Sequence, residues 1–182
     1  MQRIFIGIPI PAFIRKQIFI LQGGVPGANW VPPENYHISL RFIGEVDETK
    51  KEDIAEALEN IAFPAFKISL QGIGIFTQKE DPHHLWVKPT PEEPLIKLYR
   101  KIETLLTKEL SIKAETRKYT PHLTIAKLKK EKKKKVGQFM QWHNLFKTSE
   151  FEVNEYTLFE SHLTNIGPVY KALDIYELDH LE

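Results

Sequence analysis

The sequence predicts an α+β protein that is bilobal, with two duplicated lobes, each holding a mostly antiparallel sheet with helices on its outer face. Three observations carry that prediction. Strand-like and helix-like signals run in the order β-α-β-α-β and then repeat along the 182 residues. Helix-then-strand order with short connections fits helices on one face of antiparallel sheets better than a doubly wound parallel sheet. Landmarks of the two halves also recur at a near-constant offset. Pro9-Ile10-Pro11 and Pro89-Thr90-Pro91 are 80 apart, His37 and His122 are 85 apart, and Phe66 and Phe151 are 85 apart. The chain therefore divides into sequence repeats of about 1–79 and 80–182 within a single bilobal domain, 1–182.

Each element has a local reason. Ile4-Phe5-Ile6-Gly7-Ile8 is short, β-branched and bounded by Pro9, which reads as a buried strand. Pro11 suits a helix start, and Ile14, Ile18 and Leu21 follow at helical spacing until Gly23-Gly24. A loop rich in Pro and Gly leads to Y-H-I-S-L-R-F-I at 36–43. Its alternation puts His37, Ser39 and Arg41 on one face and Ile38, Leu40 and Phe42 on the other. Asp47 or Thr49 caps a helix whose apolar stripe is Ile54, Ala57, Leu58 and Ile61. Strand-like runs at 66–76 and 84–88 complete the first round. Leu95, Leu98, Ile102, Leu105 and Leu106 then mark the next helix, and H-L-T-I from His122 the next strand. A basic run, K-L-K-K-E-K-K-K-K, opens at Lys127 and closes at Lys135; such runs are mostly solvated loops, but this one also offers an approach surface for phosphates.

Composition narrows the function classes. With 42% hydrophobic and 27% charged residues the chain is globular. Its 25 Lys plus Arg against 24 Asp plus Glu leave a formal net charge of +1, so a polyanion site must be local. There is no cysteine, which removes disulfides, thiolate metal sites and cysteine nucleophiles and fits a reducing compartment. No apolar run reaches the roughly 18 residues of a membrane span, and the first residues lack a basic region and a cleavage site. A cytoplasmic monomer with no membrane association and no obligate protein partner is expected.

Three of the seven histidines, His37, His122 and His162, have Ser or Thr two residues later. Only His37 and His122 occupy equivalent points of the repeat, each at the start of a strand, so His37 with Ser39 and His122 with Thr124 share faces. His162 has no counterpart and reads as a decoy. Two imidazoles with two hydroxyls, brought together from duplicated lobes, suit in-line displacement at phosphorus: a base on the attacking oxygen, an acid on the leaving oxygen, and hydroxyl donors to the non-bridging oxygens. Histidine holds either role near neutral pH, and one acid with one base predicts a bell-shaped pH profile, with His122 neutral and His37 protonated in the active free enzyme. No metal is required. A metal site is disfavoured by the lack of H-x-x-x-H, H-E-x-x-H and Cys, and adjacent His83 and His84 should point to opposite sides of a strand. A non-catalytic RNA-binding module using the Lys127 to Lys135 run is the alternative, though such a module gains little from two matched, largely neutral histidines.

The paired H-x-[ST]-x motifs, set in W-V-P-P-E-N-Y-H-I-S-L-R-F-I-G-E and R-K-Y-T-P-H-L-T-I-A-K, resemble the two-histidine (2H) phosphoesterases. Within them the chain is most similar to the RNA 2′,3′-cyclic phosphodiesterases, historically called 2′-5′ RNA ligases. The resemblance extends from F-I-G-I-P-I to S-H-L-T-N-I-G-P-V-Y-K-A-L. It implies a bilobal fold with the active site in the cleft, no cofactor, and hydrolysis of an RNA 2′,3′-cyclic phosphate end to a 2′-phosphate end, with reversible 2′-5′ ligation as a further possibility. It also implies that His37 is the proton donor and His122 the proton acceptor. The first motif carries Ser39 where the family usually has Thr; Ser keeps the donor and loses a methyl. Arg117 and Tyr119 fill the Arg and aromatic positions of the family's R-x-[FY]-x-P-H segment, a guanidinium to grip phosphate and a ring to stack on a base. Arg41, by its parity with His37, and Trp30, in the Pro-rich loop, are further candidates for substrate binding.

Overall fold

In the computed structural model, residues 1–79, 81–129, 133–165 and 167–179 are described. Nine strands and four α-helices occupy them: β1 (Gln2–Pro9), α1 (Ala12–Phe19), β2 (Asn29–Trp30), β3 (His37–Val46), α2 (Glu48–Leu58), β4 (Phe66–Gln78), β5 (Asp81–Thr90), α3 (Glu93–Lys108), β6 (Leu123–Lys127), α4 (Lys133–Trp142), β7 (Phe151–Val153), β8 (Glu155–Thr164) and β9 (Gly167–Glu177). Asp47 caps α2 by accepting from the Lys50 backbone N–H at 2.8 Å. The α3 stripe anticipated from spacing, Leu95 through Leu106, is buried along one face.

The strands form two sheets, β3-β1-β8-β9 and β2-β6-β5-β4-β7, and their pairings are antiparallel. The sheets do not coincide with the sequence repeats. β4, from the first repeat, pairs with β5 of the second, while β8 of the second pairs with β1 of the first. Corresponding third strands are thus exchanged between sheets. Core side chains from both sheets belong to one continuous cluster, from Ile4, Ile6 and Ile8 of β1 through Ile14 and Ile18 of α1 to Leu85, Leu98 and Ile125. No described helix is long and apolar enough to cross a membrane.

Candidate active site

The two histidines are held by the same local device. His37 Nδ1 lies 2.8 Å from the carbonyl oxygen of Asn35, and His122 Nδ1 lies 2.7 Å from that of Thr120. A carbonyl only accepts, so each Nδ1 carries the proton, and in the neutral ring each Nε2 keeps its lone pair. His37 Nε2 stands 3.0 Å from Ser39 Oγ, whose hydroxyl therefore donates to it in the neutral state.

A β-bulge follows each motif at the same point. In β3, Gly7 faces Ser39 and Ile6 faces Arg41, leaving Leu40 as the extra residue. In β6, Trp86 faces Thr124 and Leu85 faces Ala126, leaving Ile125. Leu40 and Ile125 are 85 apart, the offset of the histidines themselves. A bulge inverts the alternation beyond it, and this overturns two expectations. Arg41 leaves the His37 face and lies opposite Ile6, 7% exposed, its Nε donating to Glu103 on α3 at 2.5 Å, its Nη2 to the Lys113 carbonyl at 2.6 Å and its Nη1 to the Phe42 carbonyl. Three of its five N–H donors are so engaged and hold the 113–115 segment, while Arg41 still borders the cavity that Ser39 and His122 line. Phe42 takes the face expected for Arg41: it lies opposite Phe5, is 52% exposed and stacks on the Phe5 ring at 5.4 Å.

One residue of each motif, Ser39 and His122, lines a cavity of about 320 Å³ whose walls also include Arg41, Phe42, Phe76, Arg117 and Tyr119. His37 lines an adjoining depression with Asn35, Phe159 and Tyr170, and Thr124 lines neither. Rings enclose both imidazoles. Phe5 and Tyr170 lie 5.0 and 5.1 Å from His37, and Phe76 meets His122 edge-on at 4.7 Å with Trp86 at 6.2 Å. Burial holds His37 down to about 4, the Asn35 carbonyl opposes the shift, and the nearby His122 adds to it. Burial also lowers His122, again opposed by its carbonyl partner. Burial thus disfavours the imidazolium form of both rings, so His37 as proton donor needs a neighbouring negative charge to hold its proton.

The remaining predicted residues separate. Arg117 is exposed on the cavity wall, its backbone N–H donating to Glu115 at 3.0 Å. Tyr119 also lines the cavity, but its ring stacks on Tyr99 at 4.2 Å and its hydroxyl donates to the Ser39 carbonyl at 3.0 Å, tying the second motif's approach to the first motif's strand. Burial raises its phenol well above the usual range. Trp30 is not in this cavity; it is half-buried against Phe139 and borders a neighbouring groove. His162 pairs with Glu160 at 3.0 Å and shares its side of β8, whereas Phe159 shares the His37 side. His83 and His84 lie ring against ring at 4.2 Å, and among the described residues no three metal-ligating side chains converge. In the basic run, Lys127 ends β6 and Lys133, Lys134 and Lys135 open α4, while residues 130–132 lie outside the described residues.

Sequence reasoning missed Phe42, Phe76, Trp86 and Tyr170, the aromatic walls of the site. Phe42 was hidden by the bulge, whose position is legible only from the register with β1.

The architecture defines a class first. Solved structures of E. coli LigT share it: the form complexed with 3′-AMP superposes with a TM-score of 0.77 over 97% of this chain and 98% of that one, at 22% identity, and the apo form with 0.75. The chain belongs to the 2′-5′ RNA ligase superfamily, which it matches across residues 22–165. It is also 34% identical to an RNA 2′,3′-cyclic phosphodiesterase of Archaeoglobus fulgidus, over 96% of this chain and 99% of that protein. It is 33% identical to proteins of the same name from Thermotoga maritima (94% and 92% covered) and Methanocaldococcus jannaschii (94% and 98%).

Proposed function

We propose that the protein hydrolyses RNA 2′,3′-cyclic phosphodiester ends to 2′-phosphate ends, with His122 as general base and His37 as general acid. One observation carries the assignment: two imidazoles are each fixed through Nδ1 to the carbonyl two residues before, each with a hydroxyl residue two positions on, and Ser39, which holds His37 Nε2, lines the same cavity as His122. In the step, water attacks phosphorus while His122 Nε2 takes its proton. The bond from phosphorus to O3′ breaks, and His37 Nε2 gives its proton to O3′. A 5′-hydroxyl in place of water gives a 2′-5′ linkage by the same route.

The lowered affinity of His37 for a proton fits a substrate-delivered charge. The phosphodiester anion favours the imidazolium that the empty cleft disfavours. Once Nε2 carries a proton it no longer accepts from Ser39, whose hydroxyl hydrogen is released for a non-bridging oxygen; Thr124 is the matching donor on the other strand. Arg117 supplies a fixed cation on the cavity wall. The family relatives' names, the cysteine-free composition and a site complete within one chain support the wider reading of a cytoplasmic, monomeric enzyme acting on RNA.

The test is end analysis of an oligonucleotide bearing a 2′,3′-cyclic phosphate after incubation with the protein in EDTA. A 2′-phosphate product at an unchanged rate is expected. A 3′-phosphate product overturns the assignment of acid and base, loss of rate in chelator restores a metal, and binding without turnover returns the RNA-binding alternative.

A further inference from the structure

The bulge at Ile125 re-aims one more residue. Without it Lys127 would face away from His122 and Thr124; with it Lys127 lies opposite His84 on β5, and His84 shares its face with Trp86, the partner of Thr124. The face of β6 therefore runs from His122 to Lys127, about 17 Å at extended-strand rise. His84, half-buried beside this row, is held down to about 4 by burial, then by the charges of His83, Lys127 and His122.

At the Lys127 end a second groove of about 350 Å³ opens, with Trp30 and Tyr170 both in its lining. Its volume falls in the range of small-ligand sites. Its walls are anchored. Trp30 rests on Phe139 of α4 at 5.7 Å, and Asn35 Nδ2 donates to the Pro168 carbonyl at 2.8 Å, clamping the loop before β3 to the start of β9. Tyr170 meets His37 edge-on at 5.1 Å, so the groove adjoins the acid side of the reaction. Two aromatic rings, one exposed lysine and backbone amides are the parts with which proteins hold single-stranded nucleic acid. Glu34 stands on the same lining, which disfavours a phosphate there and leaves an acceptor for a base amino group. Trp30 packs on the helix that Lys133, Lys134 and Lys135 open, with Lys133 paired to Asp81 at 3.4 Å.

We propose that this groove binds the nucleotide preceding the cyclic end, its base against Trp30 and Tyr170 and the phosphodiester on its 3′ side at Lys127. The terminal nucleoside then occupies the cavity of Phe42, Arg117 and Tyr119. The inference rests on the proposed cyclic phosphodiesterase activity and deepens it, since it makes the protein a reader of polynucleotide ends in preference to free cyclic nucleotides.

The test compares a 2′,3′-cyclic mononucleotide with a short oligonucleotide ending in the same cyclic nucleotide. Wild-type protein should show kcat/KM at least about tenfold higher for the oligonucleotide, the scale of one stacked base. Lys127→Gln, and Val169→Asp on the exposed groove wall, should each lower the oligonucleotide value about tenfold and leave the mononucleotide value within about twofold. Lys127→Gln should also reduce the slope of log kcat/KM against log salt by about 0.7 for the oligonucleotide. Equal wild-type values for both substrates, or equal losses on both in Lys127→Gln, overturn the subsite while leaving the activity intact. Turnover of neither substrate overturns the activity and the subsite with it.

Discussion

Gly74 offers a way to move His122, the proposed general base, without touching a polar atom. It lies in β4 opposite Trp86 of β5, and a Cβ built on it falls 2.2, 2.4 and 2.5 Å from three atoms of the Trp86 ring, where ordinary contact begins at 3.4 Å. The Trp86 ring must therefore retreat by more than about 1 Å in Gly74→Ala, since the methyl is fixed to backbone. Gly74 is not among the residues with positive φ, so alanine meets no backbone strain there and the effect is steric. Trp86 packs on Phe76 at 5.2 Å and on His122 at 6.2 Å, and it faces Thr124 across the β5/β6 ladder. Its displacement reaches both the base and the second hydroxyl.

The expected loss follows from that distance. A misplacement of about 1 Å at a reacting group costs on the order of 10²-fold in rate, and overpacking of this kind costs about 1–3 kcal/mol of stability. Single-turnover kinetics on the cyclic-ended oligonucleotide, with thermal unfolding measured in parallel, separates the two. Trp86→Phe removes the ring atoms that collide, so the Gly74→Ala/Trp86→Phe double variant should recover most of the rate, giving a large favourable coupling in the cycle. Gly7→Ala is the milder control, its Cβ meeting the Ile38 carbonyl at 3.2 Å and His37 Cδ2 at 3.4 Å, for a loss of a few-fold. A folded Gly74→Ala protein with wild-type turnover, or a double variant as slow as the single, would refute the packing argument.

Four further outcomes are expected. His37→Ala and His122→Ala should each lower turnover by at least about 10²-fold, while His162→Ala, which removes only the partner of Glu160, should stay within about twofold in the same assay; comparable losses at all three would mean the repeat has been misassigned. Because the empty cleft lowers His37 to about 4 and the bound anion opposes this, the alkaline limb of kcat should lie at higher pH than that of kcat/KM, and coincident limbs would remove the substrate-assisted protonation. The same burial means that the unfolded chain binds more protons than the folded one between about 4 and 6.5, so stability is lost as pH falls through that window; His37→Asn should flatten that part of the curve of Tm against pH, and an unaltered slope would assign the loss to other groups. Glu103→Ala leaves Arg41 buried without its carboxylate and should cost about 3 kcal/mol in urea unfolding, whereas a loss below about 1 kcal/mol would show that the carbonyls of Phe42 and Lys113 suffice.

The candidate site residues were legible because the motif occurs at matching points of the two halves. One H-x-[ST] is weak; two at the offset shared by Phe66 and Phe151 single out His37, Ser39, His122 and Thr124 as candidates before any coordinate. Helix α2 was legible from its cap and apolar spacing, and α3 from its apolar spacing alone. What stayed hidden depended on register. Period-two alternation assigns Arg41 to the cleft and Phe42 to the core, and it fails at Leu40 because the extra residue is defined by the strand opposite, not by any Gly or Pro in β3. Trp86 and Tyr170 were unreadable for a related reason: neither is near His37 or His122 in sequence, and each arrives by pairing.

The exchange of strands explains why the site needs both halves at once. His37, from the first repeat, is enclosed by Phe5 of its own half and by Tyr170 from β9 of the other. His122, from the second, is enclosed by Trp86 of its own half and by Phe76 from β4 of the other. The burial that lowers each imidazole's affinity for a proton is thus supplied in part by a strand from the opposite repeat. A protein built from two side-by-side copies would bring the same four motif residues to a cleft and leave each histidine open to water on one side. With the third strands crossed, the two repeats cannot part without breaking both sheets, and the geometry of acid against base becomes a property of the folded core as a whole.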